Sequence, residues 1–296
     1  MAQRSASASG YLSATIAHPS STRLPRRRRP GPHPPVIPVA PGQPRRPGSA
    51  SVVAPLALGL FLVGAWQLVT LTGGVRRSLF PAPLAVWSKL VTGLVTSGTY
   101  WPYIGRTFAE AAAGCVAGAS VALPLAVVIV HSRWVNAAVT PFLGATQAIP
   151  AVALAPLLIL WVGYGLPGIV TLCALMVFFP ILVSSVVGLR HVDPDVLDAA
   201  SLDGAGFWGR LWHMRLPLAG ATILAGVRNG FTLSVTGAFV GEMVMGGRGL
   251  GQLVMAQQNA DTAGLFASII VMAVLASTIY SLLTLIEKRV FSHAQR

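Results

Sequence analysis

An all-α protein that crosses a lipid bilayer about six times is the fold this sequence predicts, and three observations predict it. First, 54% of its 296 residues are hydrophobic and only 10% are charged, at a mean hydropathy of +0.68. One soluble core of this size has no room to hide that much apolar surface. Second, charge-free stretches of about 20 residues or more recur along the chain, and about 20 helical residues at about 1.5 Å each span the roughly 30 Å of hydrocarbon. Third, these stretches are continuous and rich in Leu, Ala and Val, without the alternation of a membrane barrel.

Residues 1–50 stand apart, rich in Pro, Ser and Arg, with the run Arg26 to Arg29 and no acidic residue. Such a segment buries too little to fold and is expected to be a disordered basic cytoplasmic tail, drawn to anionic membrane lipids. A signal peptide is the competing reading, but the apolar run that follows begins well after the Arg cluster and is too long for a signal core.

Residues 51–296 are expected to form the membrane domain. Its first span lies near Val52–Leu71. Phe80-Pro81-Ala82-Pro83 then opens an amphipathic segment to about Thr96, with Val86, Leu90, Val91 and Leu94 on one side. It reads as a short interfacial helix begun by proline. The second span runs from about Phe108 to Val130 and carries Gly114 and Gly118 at the spacing that lets helices approach closely, read as helix packing. The third and fourth spans are expected over Val139–Val162 and Gly168–Val187, separated by Gly163-Tyr164-Gly165-Leu166-Pro167. A proline within a span removes a donor and frees a carbonyl, so Gln147-Ala148-Ile149-Pro150 is either a pore-lining break or a kink in a packing helix. The fifth span, Leu218–Gly241, contains Arg228, and the sixth lies between Asp261 and Glu287. Cys115 and Cys173 fall inside apolar spans and read as buried small side chains, with no disulfide framework.

A net charge of +13 would suggest nucleic acid as partner of a soluble protein, but here the membrane partitions the basic residues. With both termini cytoplasmic, 15 of the 21 Lys and Arg fall on one side: the eight ahead of the first span, then Arg133, Arg190, Arg210, Arg215, Lys288, Arg289 and Arg296. Only Arg76, Arg77, Lys89, Arg106 and Arg248 fall opposite. The positive-inside rule therefore places both termini in the cytoplasm of a multi-pass cell-membrane protein, and no nucleic-acid partner is implied.

Four of the eight acidic residues, Asp193, Asp195, Asp198 and Asp203, lie in the loop from Arg190 to Pro217, on the side rich in positive charge. Asp193 can cap a helix, Pro194 suits its first turn, and Asp195 complements the positive end of its dipole. Val196, Ala200, Asp203 and Phe207 then share one helical face. Such a segment is suited to meet a partner.

In this loop Asp198-Ala199-Ala200, three residues, Gly204, nine residues and Met214-Arg215-Leu216-Pro217 resemble the "EAA" loop of ABC-importer permeases, whose pattern is Glu-Ala-Ala, three, Gly, nine, Ile-x-Leu-Pro. The spacing is intact and lies before the next-to-last helix, as in that family; Asp198 replaces the Glu and Met214 the Ile. From about residue 51 onward the chain is similar to the nitrate/sulfonate/taurine branch, in Phe80-Pro81-Ala82-Pro83, in Ile149-Pro150 with Leu158-Ile159-Leu160-Trp161, and in Glu242-Met243 followed by Gly249-Leu250-Gly251. The basic tail is outside the resemblance. What it implies is a type I permease architecture, a pair of identical chains worked by two ABC ATPase subunits and fed by an extracytoplasmic solute-binding protein. It implies that the loop is a coupling helix seated in a groove of the ATPase, with Asp198, Ala199 and Ala200 as docking face, a bend at Gly204, and the fifth helix restarted at Leu216 and Pro217. Asp198 either pairs with the ATPase or caps its own helix. The branch carries nitrate, sulfonates, taurine and some vitamin precursors, so a small anionic solute is expected.

No Gly-x-x-x-x-Gly-Lys-Ser/Thr occurs, so ATP is handled by another chain, and no metalloprotease or serine-hydrolase motif is present. The chain is read as no enzyme, without cofactor or metal. The run Gly246-Gly247-Arg248-Gly249-Leu250-Gly251 fails the dinucleotide spacing and reads as a turn or re-entrant bend. Ionisable groups at membrane depth are the remaining candidates, because an unpaired charge there costs at least about 2.5 kcal/mol. Arg106 and Glu110 are one helical turn apart and suit a local pair. Arg228 either draws an anion through the bundle or pairs with a carbonyl or with Glu242. The translocation-path candidates are thus Gln147, Pro150, Arg228 and Glu242. A secondary transporter would carry ion-coupling acids at midplane and often inverted repeats, neither of which is visible, and a membrane scaffold would not need the loop spacing.

Overall fold

The computed structural model describes residues 50–73, 76, 79–147 and 150–291. The chain divides into Met1–Ala54 and a compact unit, Pro55–Arg296. Of the former only Ala50–Ala54, the start of the first helix, is among the described residues, so the expected basic tail lies outside them.

The described residues are helical, in the order α1 (Ala50–Leu71), α2 (Pro83–Val91), α3 (Tyr100–His131), α4 (Arg133–Gln147), α5 (Ala155–Val162), α6 (Leu166–Arg190), α7 (Pro194–Leu202), α8 (Phe207–Arg210), α9 (Leu216–Met245), α10 (Leu250–Gln257) and α11 (Thr262–Phe291). A π-helical turn, Thr92–Thr96, extends α2, and another, Leu211–Arg215, fuses α8 to α9. Four helical segments are long and apolar enough to cross a membrane: Tyr100–His131, Leu166–Arg190, Phe207–Met245 and Thr262–Val290. Shorter apolar helices, Ala57–Leu71, Pro83–Thr96 and Val152–Val162, accompany these four among the described residues.

Three boundaries differ from expectation, each for a local reason. The third span is not one helix over Val139–Val162: α4 stops at Gln147, Pro150 is extended (φ −66°, ψ 106°), and a 3-10 turn at Ala151–Leu154 leads into α5 with Pro156 in its first turn. Two donorless prolines this close leave no continuous ladder. The second span begins at Tyr100 rather than Phe108. The fifth helix does not restart at Pro217, because the π turn, closed by Leu216 N–H on the Leu211 carbonyl, carries it unbroken from Phe207.

The core is built on α6, with α3 and α9 against it. Gly118 presses on the α6 backbone so closely that a Cβ would lie 2.7 Å from the Ala174 carbonyl oxygen, and Gly114 sits as tightly on Cys173. The glycine pair thus packs helices within this chain. A longer small-residue stripe on α9, Gly226, Gly230, Ser234, Gly237 and Gly241, also lies against α6; a Cβ on Gly226 would be 2.5 Å from that of Ser184. In lipid, apolar burial does not distinguish one helix face from another, so close backbone approach and hydrogen bonds hold the bundle. Ser234 donates to the Ala111 carbonyl at 2.7 Å, tying α9 to α3. Cys115 and Cys173 are free and buried.

At one end of the bundle α2, α10 and the start of α11 pack together around Val86, Tyr100, Leu250 and Ala267. Proline opens α2, Val86 is buried and Trp87 exposed, as an interfacial helix requires. Trp66 of α1 donates to the Pro81 carbonyl at 3.1 Å and meets the rings of Phe80 and Phe266. Lys89 pairs with Asp261 at 2.6 Å. The loop between α6 and α9 lies at the opposite end.

Candidate functional site

The loop is built around α7. Asp193 accepts a hydrogen bond from the Asp195 N–H at 2.9 Å, and Pro194 takes the first helical position. Because Asp193 caps the helix, Asp198 does not; it sits mid-helix with its side chain exposed, beside exposed Ala199. Ala200 faces the other way, 5% exposed, and its carbonyl accepts from Ala205 N–H at 3.0 Å. The outward face of α7 therefore comprises Asp195, Asp198, Ala199 and Leu202, the last 90% exposed. Gly204 adopts φ +82°, a conformation costly to any residue with a Cβ, and turns the chain back toward the bundle. The face expected to run from Val196 through Phe207 is not formed, since the helix ends at Leu202 and Phe207 opens α8. Beyond it, Leu216 is half-buried and Pro217 exposed.

The loop is tied to its surroundings. The Phe207 ring meets His131 at the end of α3, 4.5 Å between centroids. Arg210 donates to Ser201 Oγ at 2.7 Å, and Arg190 to the Asn136 side chain of α4. Val192 and Leu197 enter the core between α3, α6 and α9. Through these two side chains the loop packs into a core shared with three long helices.

The second feature is Glu242, 1% exposed. Its Oε1 accepts from Thr107 Oγ1 of α3 at 2.7 Å and its Oε2 from Gly251 N–H at 2.6 Å. Gly246, at φ +74°, ends α9, and the chain then wraps Glu242 so tightly that a Cβ on Gly249 would collide with its carboxyl, one on Gly247 with its Cα, Cβ and Cγ, and one on Gly251 with the Phe239 carbonyl oxygen. The glycine run is thus a turn around a buried acid. Glu110, also 1% exposed, pairs with Arg106 at 2.8 Å through Oε1.

Of the path candidates, Arg228 and Glu242 are held by different partners. Arg228 pairs neither with a carbonyl nor with Glu242 but with Glu287 of α11 at 2.5 Å, under the Tyr280 ring. Gln147 ends α4, and Pro150, exposed, marks the break; Ala148 and Ile149 lie outside the described residues. Sequence reasoning missed Thr107, Glu287 and Leu202. The only local signal was Glu242 followed by glycines at 247, 249 and 251. Among the described residues no cluster of three or more His, Cys, Asp or Glu could hold a metal.

A glycine-packed bundle of long apolar helices, with a short capped helix carried outside it, is the architecture of a polytopic membrane protein. The chain belongs to the family of binding-protein-dependent transport system inner membrane components, whose model matches residues 114–292. It is 37% identical over 235 residues to the riboflavin transport system permease protein RibX of Chloroflexus aurantiacus, covering 79% of this chain and 87% of the relative. It is 27% identical to the putative aliphatic sulfonates transport permease protein SsuC of Bacillus subtilis, covering 79% and 85%. The fold matches an inward-facing structure of the MetNI methionine ABC transporter with a TM-score of 0.58 at 18% identity, over 64% of this chain and 95% of that one. The protein is an integral-membrane ABC-importer permease subunit, and ATP hydrolysis belongs to a separate subunit. Permeases of this kind work with an ATPase and a solute-binding protein.

Proposed function

We propose that this chain forms half of the translocation pathway of an importer, paired with an identical copy, with an ATPase docked on α7 and a binding protein at the opposite end. Both termini then lie in the cytoplasm, a placement that the basic residues at the α7 end support. The observation that carries this reading is the outward face of α7: an exposed leucine and two exposed carboxylates flanking a low alanine surface, on a helix anchored to the bundle behind it. ATP-driven closure of the two ATPases pushes α7 and swings the bundles between outward- and inward-open states. Asp198 then meets a basic group of the ATPase, while Ala200 seats α7 on its own bundle.

The cargo we favour is a small heterocyclic vitamin-type solute. The 37% identity to the riboflavin permease supports it, and Glu287 already neutralises the Arg228 charge that would draw an anion. A sulfonate or taurine anion is the second reading, supported by the relatives at 27% and 26% identity. Isothermal titration of the cognate binding protein with riboflavin, taurine and an alkanesulfonate, followed by uptake of the bound compound into vesicles holding the whole transporter, tests both. A protein that binds taurine and not riboflavin sinks the first.

A further inference from the structure

A small, partly open pocket of about 100 Å³ lies at the loop end of the bundle, between α3, α7 and the π-helical turn. His131, Leu197, Phe207, Arg210, Leu211 and Arg215 line it. Three of these walls are basic, three are apolar and none is acidic. The π turn explains how the two arginines come together: with hydrogen bonds closed five residues apart, positions 210 and 215 approach register on one side of the helix, and π turns recur at functional sites. Arg215 Nη1 rests on His131 Nε2 at 3.1 Å, and one Nη of Arg210 is held by Ser201. Both arginines are half-buried as residues, their side-chain hydrogen bonds lie on the exposed side, and the two positive charges repel each other. None of the ion pairs among the described residues, Lys89–Asp261, Arg106–Glu110 and Arg228–Glu287, includes either one.

Two neighbouring positive forks on one cavity with no acidic wall repel each other, and an anion seated between them relieves that repulsion. Planar guanidiniums match the oxygens of a phosphate bidentately. The volume admits several water-sized groups, each needing about 10–15 Å³ of such space. The position points the same way. Trp208 and Trp212, 68% and 61% exposed, flank the pocket, and exposed tryptophans mark the headgroup level of a bilayer. Basic pockets between membrane helices at that level are receptors for anionic headgroups.

We propose that the His131–Arg210–Arg215 pocket binds a phosphate group, presented by the headgroup of an anionic membrane lipid or by a free phosphate. Its occupant touches the end of α3, the inner side of α7 through Leu197, and the root of α9, and so stiffens the joint between the loop and the bundle. The site is independent of which solute is carried.

Native mass spectrometry of the purified full chain tests this, after exposure to phosphatidylcholine vesicles with or without phosphatidylglycerol, and separately to inorganic phosphate. Wild type is expected to retain one phosphatidylglycerol per chain, with retention falling as salt is raised. The R210Q/R215Q variant should bind about tenfold or more weakly, since charge-assisted hydrogen bonds are lost. Displacement by millimolar inorganic phosphate identifies phosphate itself as sufficient; retention despite it identifies the lipid as the source. Wild type holding neither phosphatidylglycerol nor phosphate overturns the proposal even if the double variant does not fold. So does equal retention by wild type and variant.

Discussion

Thr107 Oγ1 lies 2.7 Å from Glu242 Oε1, joining positions 135 residues apart, and the same hydroxyl accepts the Leu250 N–H at 2.9 Å. One hydroxyl thus links α3, α9 and α10, donating once and accepting once. Thr107→Val keeps the shape but strands a buried carboxyl oxygen and a buried amide, each worth about 1–3 kcal/mol. The variant should unfold at a clearly lower temperature in detergent, and Thr107→Ser should recover most of the loss. Equal stability of Thr107→Val and wild type would remove this latch from the account.

Close approach of α3 to α6 makes a second prediction. Gly118→Val places carbon where the Ala174 carbonyl oxygen already sits, 2.7 Å from a Cβ, and backbone does not yield as a flexible side chain would. Overpacking of this kind costs about 1–3 kcal/mol or more. Folded yield and unfolding temperature should both fall, whereas Gly105→Ala, in open space on the same helix, should lower neither.

The Arg228–Glu287 pair separates a structural charge from a transport role. Its side chains are 17% and 22% exposed, so each single neutralisation leaves a partly buried charge unmatched. Arg228→Gln and Glu287→Gln should each destabilise by about 1–3 kcal/mol, and the double variant by less than their sum. If the double variant is stable yet transports slowly, the positive charge itself serves the solute. Additive losses would mean the pair is not coupled.

Lys89–Asp261 predicts a pH dependence at the opposite end. Burial alone would raise the Asp261 carboxyl, but the Lys89 ammonium and the N–H groups of Gly264 and Ala263 outweigh it and hold the group below its ordinary 3.8. A depressed carboxylate contributes stability that is present above the unfolded value and lost as pH falls through the folded one. Unfolding temperature should therefore lose this contribution only below pH 3.8, and Lys89→Met should shrink the loss. A Lys89→Met profile parallel to wild type in that acid range contradicts the assignment.

Local chemistry was legible in the sequence. The cap at Asp193, the proline start of α2, the bend at Gly204 and the Arg106–Glu110 pair each depend on residues within a turn or two, and each is present. The apolar segments were legible too, because the bilayer demands them. Helix rotation was not. A span apolar on every side carries no hydrophobic stripe to show its inner face, so the inward turn of Ala200, the α9 stripe against α6 and the reach of Arg228 to Glu287 follow only from packing at long range. The Glu242 cradle was half legible: its glycines are local, but Thr107 comes from another helix.

The central claim is that an ATPase works this permease through the outward face of α7. Single cysteines at Leu202 and Ala200 test it, introduced in the chain co-expressed with its ATPase and treated with a short thiol crosslinker to cysteines placed around the ATPase groove. The native Cys115 and Cys173 are buried and leave little background. Leu202→Cys should crosslink to the ATPase, with a yield that changes on ATP binding, while Ala200→Cys should not. No crosslink from Leu202→Cys across the groove, or an equal yield from Ala200→Cys, would contradict it.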